Sequence, residues 1–465
     1  MKRYFNLFLL LCIAMAGYAQ QAKYVFYFIG DGMGLNQVNM TEMYLAEMEG
    51  KIGISPLTFA SFPVAGMATT FSATHPVTDS AASGTALATG HKTYNGAIGL
   101  DADKNVVESV ALKAKKAGCK VGVATSVSVD HATPACFYAH QKVRKMYHEI
   151  ALDLPVAGYD FYAGSGFLRP TTDFQKKEVP SIFPVFEKAG YTLIKGYNAY
   201  KKEGKSAQKV ILVQEDGKGK NSIPYAIDRK EGDLTLSEIT ESAIDFLSRD
   251  NDKGFFLMVE GGKIDWACHD NDPATIIHEV IDMDNAVKLA YEFYKKYPEE
   301  TLIVITADHE TGGAGLGTGK YALNLKALQY QKNSVEYISK KMMKLREEKK
   351  NKVTWEEMKE FLMEYYGLWG KLEVSKKQEE TLRNEFNTSF KSKNGKTEKS
   401  LYTQSVSMAA CAKRVLSEIA MVAWSSGGHS AAYTPVFAIG AGSEVFNGKM
   451  DNTDIPKRIA RVAGY

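Results

Sequence analysis

Asp265 and His269 stand four residues apart, Asp308 and His309 are neighbours, and His429 ends the run Ser425-Ser426-Gly427-Gly428-His429. On a helix, the four-residue spacing puts Asp265 and His269 on one face, where both can grip one metal ion. Asp31 is held between glycines in Gly30-Asp31-Gly32-Met33-Gly34, and Glu260 opens Glu260-Gly261-Gly262. One acidic residue after a strand is usually a helix cap. Several such ends, each flanked by glycine or other small residues, read as a metal site. His75, His91, His148 and His278 lack such company and are read as surface or core histidines.

The group such a site would activate lies in the run Val77-Thr78-Asp79-Ser80-Ala81-Ala82-Ser83-Gly84-Thr85-Ala86-Leu87-Ala88-Thr89-Gly90. Its residues have little bulk, which predicts a helix start pressed close against its neighbours. Ser80 there sits in the positive potential of unpaired backbone N–H groups, which suits a hydroxyl that must carry an anion. On this segment alone an ordinary N-cap serine is the simpler reading. The distant carboxylates and histidines favour the other, because they make sense if they converge on Ser80.

Four strand patterns deliver those residues. Tyr24–Ile29, Lys120–Thr125, Gly254–Val259 and Leu302–Thr306 are near-continuous apolar runs, as expected of strands buried on both faces. They lead respectively to Asp31, to Asp130-His131-Ala132-Thr133-Pro134, to Glu260 and Asp265, and to Asp308-His309. A fifth run, Pro435–Ile439, follows His429 as the final strand, and Val210–Val213 is another strand. Asp272-Pro273 reads as an N-cap and first helical position, with Ile276, Val280, Met283, Val287, Ala290 and Tyr294 on one face of the helix that follows. Strands alternating with helices predict an α/β sheet with its chemistry at the carboxyl ends of the strands.

The chain of 465 residues, 45% hydrophobic and 24% charged, can bury one large core or two smaller ones. A net charge of +3 is too small to argue for nucleic acid as a specific partner. Lys2-Arg3, the apolar run from Phe5 to Ala16 and the exit Gly17-Tyr18-Ala19-Gln20 read as a secretory signal over residues 1–19. The mature chain, residues 20–465, is then periplasmic or secreted. No segment is long and apolar enough to be read as a membrane span. Cys119, Cys136, Cys268 and Cys411 are spaced too irregularly to define a disulfide framework. Asp101-Ala102-Asp103-Lys104-Asn105 lacks the glycine a calcium loop needs next, and Gly315–Lys320 lacks the P-loop pattern.

From about 321 to 402 the texture turns Lys- and Glu-rich and helical. Thr354-Trp355-Glu356-Glu357 is a capping box, Val353 and Met358 form a hydrophobic staple, and Trp355, Met358, Leu362 and Tyr365 line one face. This stretch reads as an insertion with three open roles: covering a site, pairing with a second copy, or forming a solvated cap.

The motifs together resemble the alkaline phosphatase family. They are GDGMG at Gly30–Gly34, VTDSAASGTALATGHKT at Val77–Thr93, HATPA at His131–Ala135, the pair Arg144-Lys145, EGGKIDWACHDND at Glu260–Asp272, TADHETGG at Thr306–Gly313 and GGHS at Gly427–Ser430. The resemblance implies a three-layer α/β/α sandwich around a large, mostly parallel sheet, and a homodimer. It implies Asp265, His269 and His429 as ligands of a first Zn2+, and Asp31, Asp308 and His309 as ligands of a second, with Ser80 completing it as nucleophile. Thr133 and Glu260, bridged through Asp31, would hold Mg2+. Arg144, oriented by Asp79, would clamp the phosphate oxygens. His131 and Trp266 stand where the enterobacterial pattern has Asp and Lys, beside the substrate phosphate. A histidine there opens the third site to Zn2+ in place of Mg2+.

The implied activity is hydrolysis of small-molecule phosphate monoesters through a phosphoserine intermediate, with release of inorganic phosphate. A phosphodiesterase of the same superfamily uses Arg144 less well, because a diester has fewer free oxygens. A sulfatase depends on a different nucleophile motif. A non-catalytic secreted metal-binding protein leaves the nucleophile beside a full ligand set unexplained.

Overall fold

The computed structural model describes residues 21–219, 221–319, 321–392 and 396–465. The signal read over residues 1–19 lies outside the described residues. Ten strands, β1 to β10 in chain order, form one sheet: Tyr24–Ile29, Val64–Thr69, Lys120–Thr125, Phe161–Ala163, Tyr191–Lys195, Lys209–Val213, Phe255–Glu260, Thr301–Thr306, Thr434–Gly440 and Gly448–Asp451. Their spatial order is β10-β2-β9-β8-β1-β7-β3-β4-β6-β5. Only β9 runs antiparallel to its neighbours β2 and β8. The apolar run after His429 is therefore not the last strand. The edge strand β10 and a C-terminal helix, Asp454–Ala463, follow it.

The central register gathers the strand ends. β1 lies between β7 and β8, so that Ile29 is level with both Glu260 and Thr306. β3 joins β7 with Thr125 level with Glu260. Four carboxyl ends thus finish on one line, where loops of an open α/β sheet form their sites.

Alternation along these strands splits the core in two. Phe26, Phe28, Phe255, Leu257, Ile303 and Ile305 face one layer. That layer includes α1 (Leu35–Met48) and, later in the chain, the helices Leu236–Ser248 and Pro273–Lys296. Val25, Tyr27, Val121, Phe256, Met258 and Val304 face the opposite layer. It contains α2 (Ser80–Thr89) and the C-terminal helix. This is the expected three-layer α/β/α sandwich. Each Val, Ile, Leu or Phe side chain buried here contributes about 1.5–3 kcal/mol.

Pro273–Lys296 begins where the Asp-Pro pair indicates, and Asp272 does more than cap it. Its carboxylate accepts from Thr275 N (3.2 Å) and Oγ1 (2.8 Å), Gln331 Nε2 (2.8 Å) and Val335 N (2.9 Å). The last two donors lie in the Lys- and Glu-rich stretch 321–402, so one buried carboxylate ties that stretch to the core. Within that stretch lie helices Val335–Glu348, Trp355–Tyr366 and Lys376–Glu385. Thr354 and Glu357 form the expected capping box. Val353, Trp355, Met358 and Leu362 are buried in the core, and Tyr365 packs against it half-buried.

Candidate active site

Gly32 makes the first close approach. Its φ is +73°, and a Cβ there would lie 2.8 Å from the Cα of Asp265. The turn carrying Asp31 can therefore press against the helix Lys263–His269 only with glycine. Asp308 secures the same turn, accepting from Gly32 N at 3.1 Å and from His309 N at 2.9 Å. On the helix, Asp265 Oδ2 lies 3.4 Å from His269 Nε2, as the spacing requires.

Three imidazoles are oriented the same way. The Nδ1 of His269 lies 2.7 Å from the Gly427 carbonyl, and that of His429 lies 2.8 Å from the Thr78 carbonyl. A carbonyl only accepts, so Nδ1 carries the proton in both rings. His309 Nδ1 is 3.1 Å from Thr311 Oγ1, whose own proton goes to Asp265 Oδ1 at 2.5 Å. In all three rings the Nε2 lone pair is left to face the centre, the usual preparation of a metal-binding histidine. His269 Nε2 and His429 Nε2 are 3.2 Å apart, and His309 Nε2 is 3.4 Å from both Asp31 Oδ1 and Asp308 Oδ2.

Ser80 is the first residue of α2 and Asp79 is its cap, so the simpler N-cap reading of the serine is replaced. Asp79 Oδ1 accepts from Ala82 N and Gly96 N, both at 3.0 Å, while Oδ2 accepts from Arg144 Nη1 at 3.1 Å. Cap and arginine support are thus one carboxylate. Ser80 Oγ lies 3.2 Å from His309 Nε2. The lack of bulk in α2 serves contact: Ser83 Oγ donates to the Asp308 carbonyl at 2.5 Å, and a Cβ on Gly84 would meet Cys136 Sγ at 3.1 Å. Burial opposes the charge of Arg144, but Tyr402 and Asp79 more than offset this and hold its pKa above the ordinary value.

A third cluster adjoins these. Ligand atoms of Asp31, His131 and Glu260 lie within 4.8 Å of one another. So do those of Asp265, His269 and His429, and those of Asp31, Asp265 and His309. Asp31 and Asp265 each serve two groups. Thr133 Oγ1 lies 3.5 Å from Asp308 Oδ2, and Thr125 donates to Glu260 Oε2. Trp266 stacks on Tyr402 and lies 6.0 Å, ring to ring, from His131.

The donor set fits metal ions. Asp31 is fully buried, yet neither of its oxygens accepts a hydrogen bond, and Glu260 Oε1, Asp265 Oδ2 and His131 Nδ1 are likewise unmatched. Burial, then the neighbouring carboxylates, push the pKa of Asp31 and Asp308 well above the carboxylate range. Burial and Arg144 push His131 down to about 3, leaving a neutral nitrogen donor. Burial also favours neutral His309 and His429. Mutually repelling buried carboxylates beside neutral imidazoles are costly alone and balanced by cations.

All of the sequence-predicted site residues meet here. Tyr402, Thr125 and the second bond of Thr311 were missed. Thr311 lies inside a recognised motif, whereas Tyr402 belongs to none. Outside the site, Cys119, Cys136, Cys268 and Cys411 are buried free thiols.

The alkaline phosphatase family model matches residues 22–160 and 175–465. Alkaline phosphatase 3 of Bacillus subtilis is 32% identical over 458 residues, covering 97% of this chain and 90% of its own. The cold-active alkaline phosphatase of a psychrophilic Shewanella superposes with a TM-score of 0.79 at 29% identity, covering 95% of this chain and 99% of its own. A histidine-to-aspartate mutant of the enzyme from the Antarctic bacterium TAB5, with Mg2+ in its M3 site, gives 0.66 at 27% identity, covering 96% and 99%. A match across nearly the whole described chain, joined to the same sheet architecture, means that this chain belongs to the alkaline phosphatase family, the phosphate monoester hydrolases.

Proposed function

We propose that Ser80 is the nucleophile of a metal-dependent phosphomonoesterase, and that Arg144 receives the transferred phosphoryl group. The observation carrying this reading is the meeting of Ser80 Oγ with His309 Nε2 at the N-terminus of α2, beside an arginine fixed by the same helix cap. Asp265, His269 and His429 would hold one Zn2+, Asp31, Asp308 and His309 a second, and Asp31, Thr133 and Glu260 a Mg2+ site that His131 opens to Zn2+. When bound, these ions supply the Lewis-acid charge that activates a hydroxyl and offsets negative charge at phosphorus.

The residues of the chain do the rest. Arg144 offers planar, paired N–H donors to two non-bridging oxygens and holds phosphorus in line with Ser80. Ser80 gives up its hydroxyl proton to solvent as Oγ bonds to phosphorus and the ester P–O bond breaks, and the departing alcohol oxygen takes up a proton from solvent in its place. The dianionic phosphoserine then lies at the N-terminus of α2, where helix N–H groups favour negative charge. Water attacks phosphorus from the leaving side, Ser80 departs, and inorganic phosphate is released. Two in-line displacements retain configuration at phosphorus.

The leader-like residues 1–19 support export to the periplasm or medium, and the family resemblance supports a homodimer. Among the described residues no helix is long and apolar enough to cross a membrane. Turnover of an aryl phosphate, an aryl diester and an aryl sulfate, with and without chelator, tests the reading. The monoester should be preferred, its hydrolysis lost with chelator and restored by Zn2+. Chelator-resistant turnover, or preference for the diester, would contradict it.

A further inference from the structure

Tyr402 ends the insertion, yet its ring lies among the site residues. It stacks on Trp266 with ring centroids 4.6 Å apart and planes 13° from parallel. It also approaches the rings of His269 and His131 to 5.5 and 5.8 Å. The Lys263 ammonium lies 5.0 Å from the Trp266 ring and 3.3 Å from that of Tyr225, so the stack rests on a layered support. One residue further on, Thr403 Oγ1 binds both carboxylate oxygens of Asp270, at 2.6 and 2.8 Å, directly after His269. Held in this way, the Tyr402 phenol oxygen accepts from Arg144 Nη2 at 3.3 Å. Asp79 holds the other terminal nitrogen, Nη1, at 3.1 Å.

We propose that Tyr402 is a positioning residue for phosphate, fixing the Arg144 guanidinium from the side Asp79 does not reach and making the insertion part of the anion site. This rests on the reading of Arg144 as the phosphate receptor. A guanidinium gripped at one nitrogen can swing about that contact. Gripped at both, it keeps the plane that bidentate recognition needs and loses less freedom when the anion binds.

The test uses the zinc-loaded holoenzyme and inorganic phosphate as competitive inhibitor. Tyr402→Phe keeps the ring and removes only the phenol oxygen. Phosphate inhibition should weaken about tenfold, with KM for an aryl phosphate rising in step and kcat within about twofold of the parent. Zinc content should not change. In an Arg144→Ala background, Tyr402→Phe should weaken phosphate inhibition no further, because the tyrosine acts through the arginine. Parent-like inhibition in Tyr402→Phe, or a full additive loss in the double variant, overturns the proposal. If Arg144→Ala alone left inhibition at the parent level, the receptor reading would fall first and the proposal with it.

Discussion

At the scale of single residues, the site depends on small fixations that leave reactive atoms free. Two backbone carbonyls and one threonine hydroxyl hold Nδ1 of the three histidines, and each Nε2 faces the centre. His131 is the departure with the clearest consequence. It offers a neutral nitrogen between Asp31 and Glu260, where Mg2+ prefers oxygen. His131→Asp should therefore tighten Mg2+ binding by roughly tenfold or more, read from metal titration of activity. An unchanged Mg2+ requirement would show that this position does not tune the third site. Most of these residues were legible in the sequence, because carboxylates and histidines flanked by glycine or other small residues follow the strand runs. Tyr402 was not, since its partner Arg144 is 258 residues away and neither the composition nor the spacing of the residues around it marks it.

Among the elements, the four strand runs were legible because burial on both faces leaves continuous apolar stretches. The pairing order was not, and neither was β10, whose Gly-Lys-Met-Asp sequence has no apolar run and which forms because β2 offers a free edge. The start of Pro273–Lys296 was legible as a cap, but not that Asp272 also serves two donors from the stretch 321–402. Asp272→Ala would strand the Val335 N–H and the Gln331 amide in a buried setting. That should cost about 2–4 kcal/mol of stability, with Asp272→Asn losing less, as measured by denaturant unfolding of the holoenzyme. Equal stability of Asp272→Ala and the parent would deny the tie between the stretch 321–402 and the core.

Across the whole molecule, charge is also buried away from the site, as at Glu279 in the helix Pro273–Lys296. Glu279 is pushed up to about 7 by burial, opposed by Arg229 and Lys263. Its folded pKa is above the ordinary 4.5, so the folded chain binds the extra proton. Its contribution is fully present below about pH 4.5 and is lost as pH rises through about 7. Glu279→Gln should therefore raise Tm relative to the parent more at pH 8 than at pH 5. A Tm difference independent of pH would refute this assignment. The reaction itself is tested most directly by trapping it. Holoenzyme is incubated with an aryl phosphate, quenched in acid, digested, and its peptides are mapped by mass spectrometry. Phosphate should be found on Ser80, and Ser80→Ala should lose both the modified peptide and orders of magnitude in turnover while keeping its bound metal. Turnover without phosphate on Ser80, or parent-like activity in Ser80→Ala, would contradict the phosphoserine mechanism.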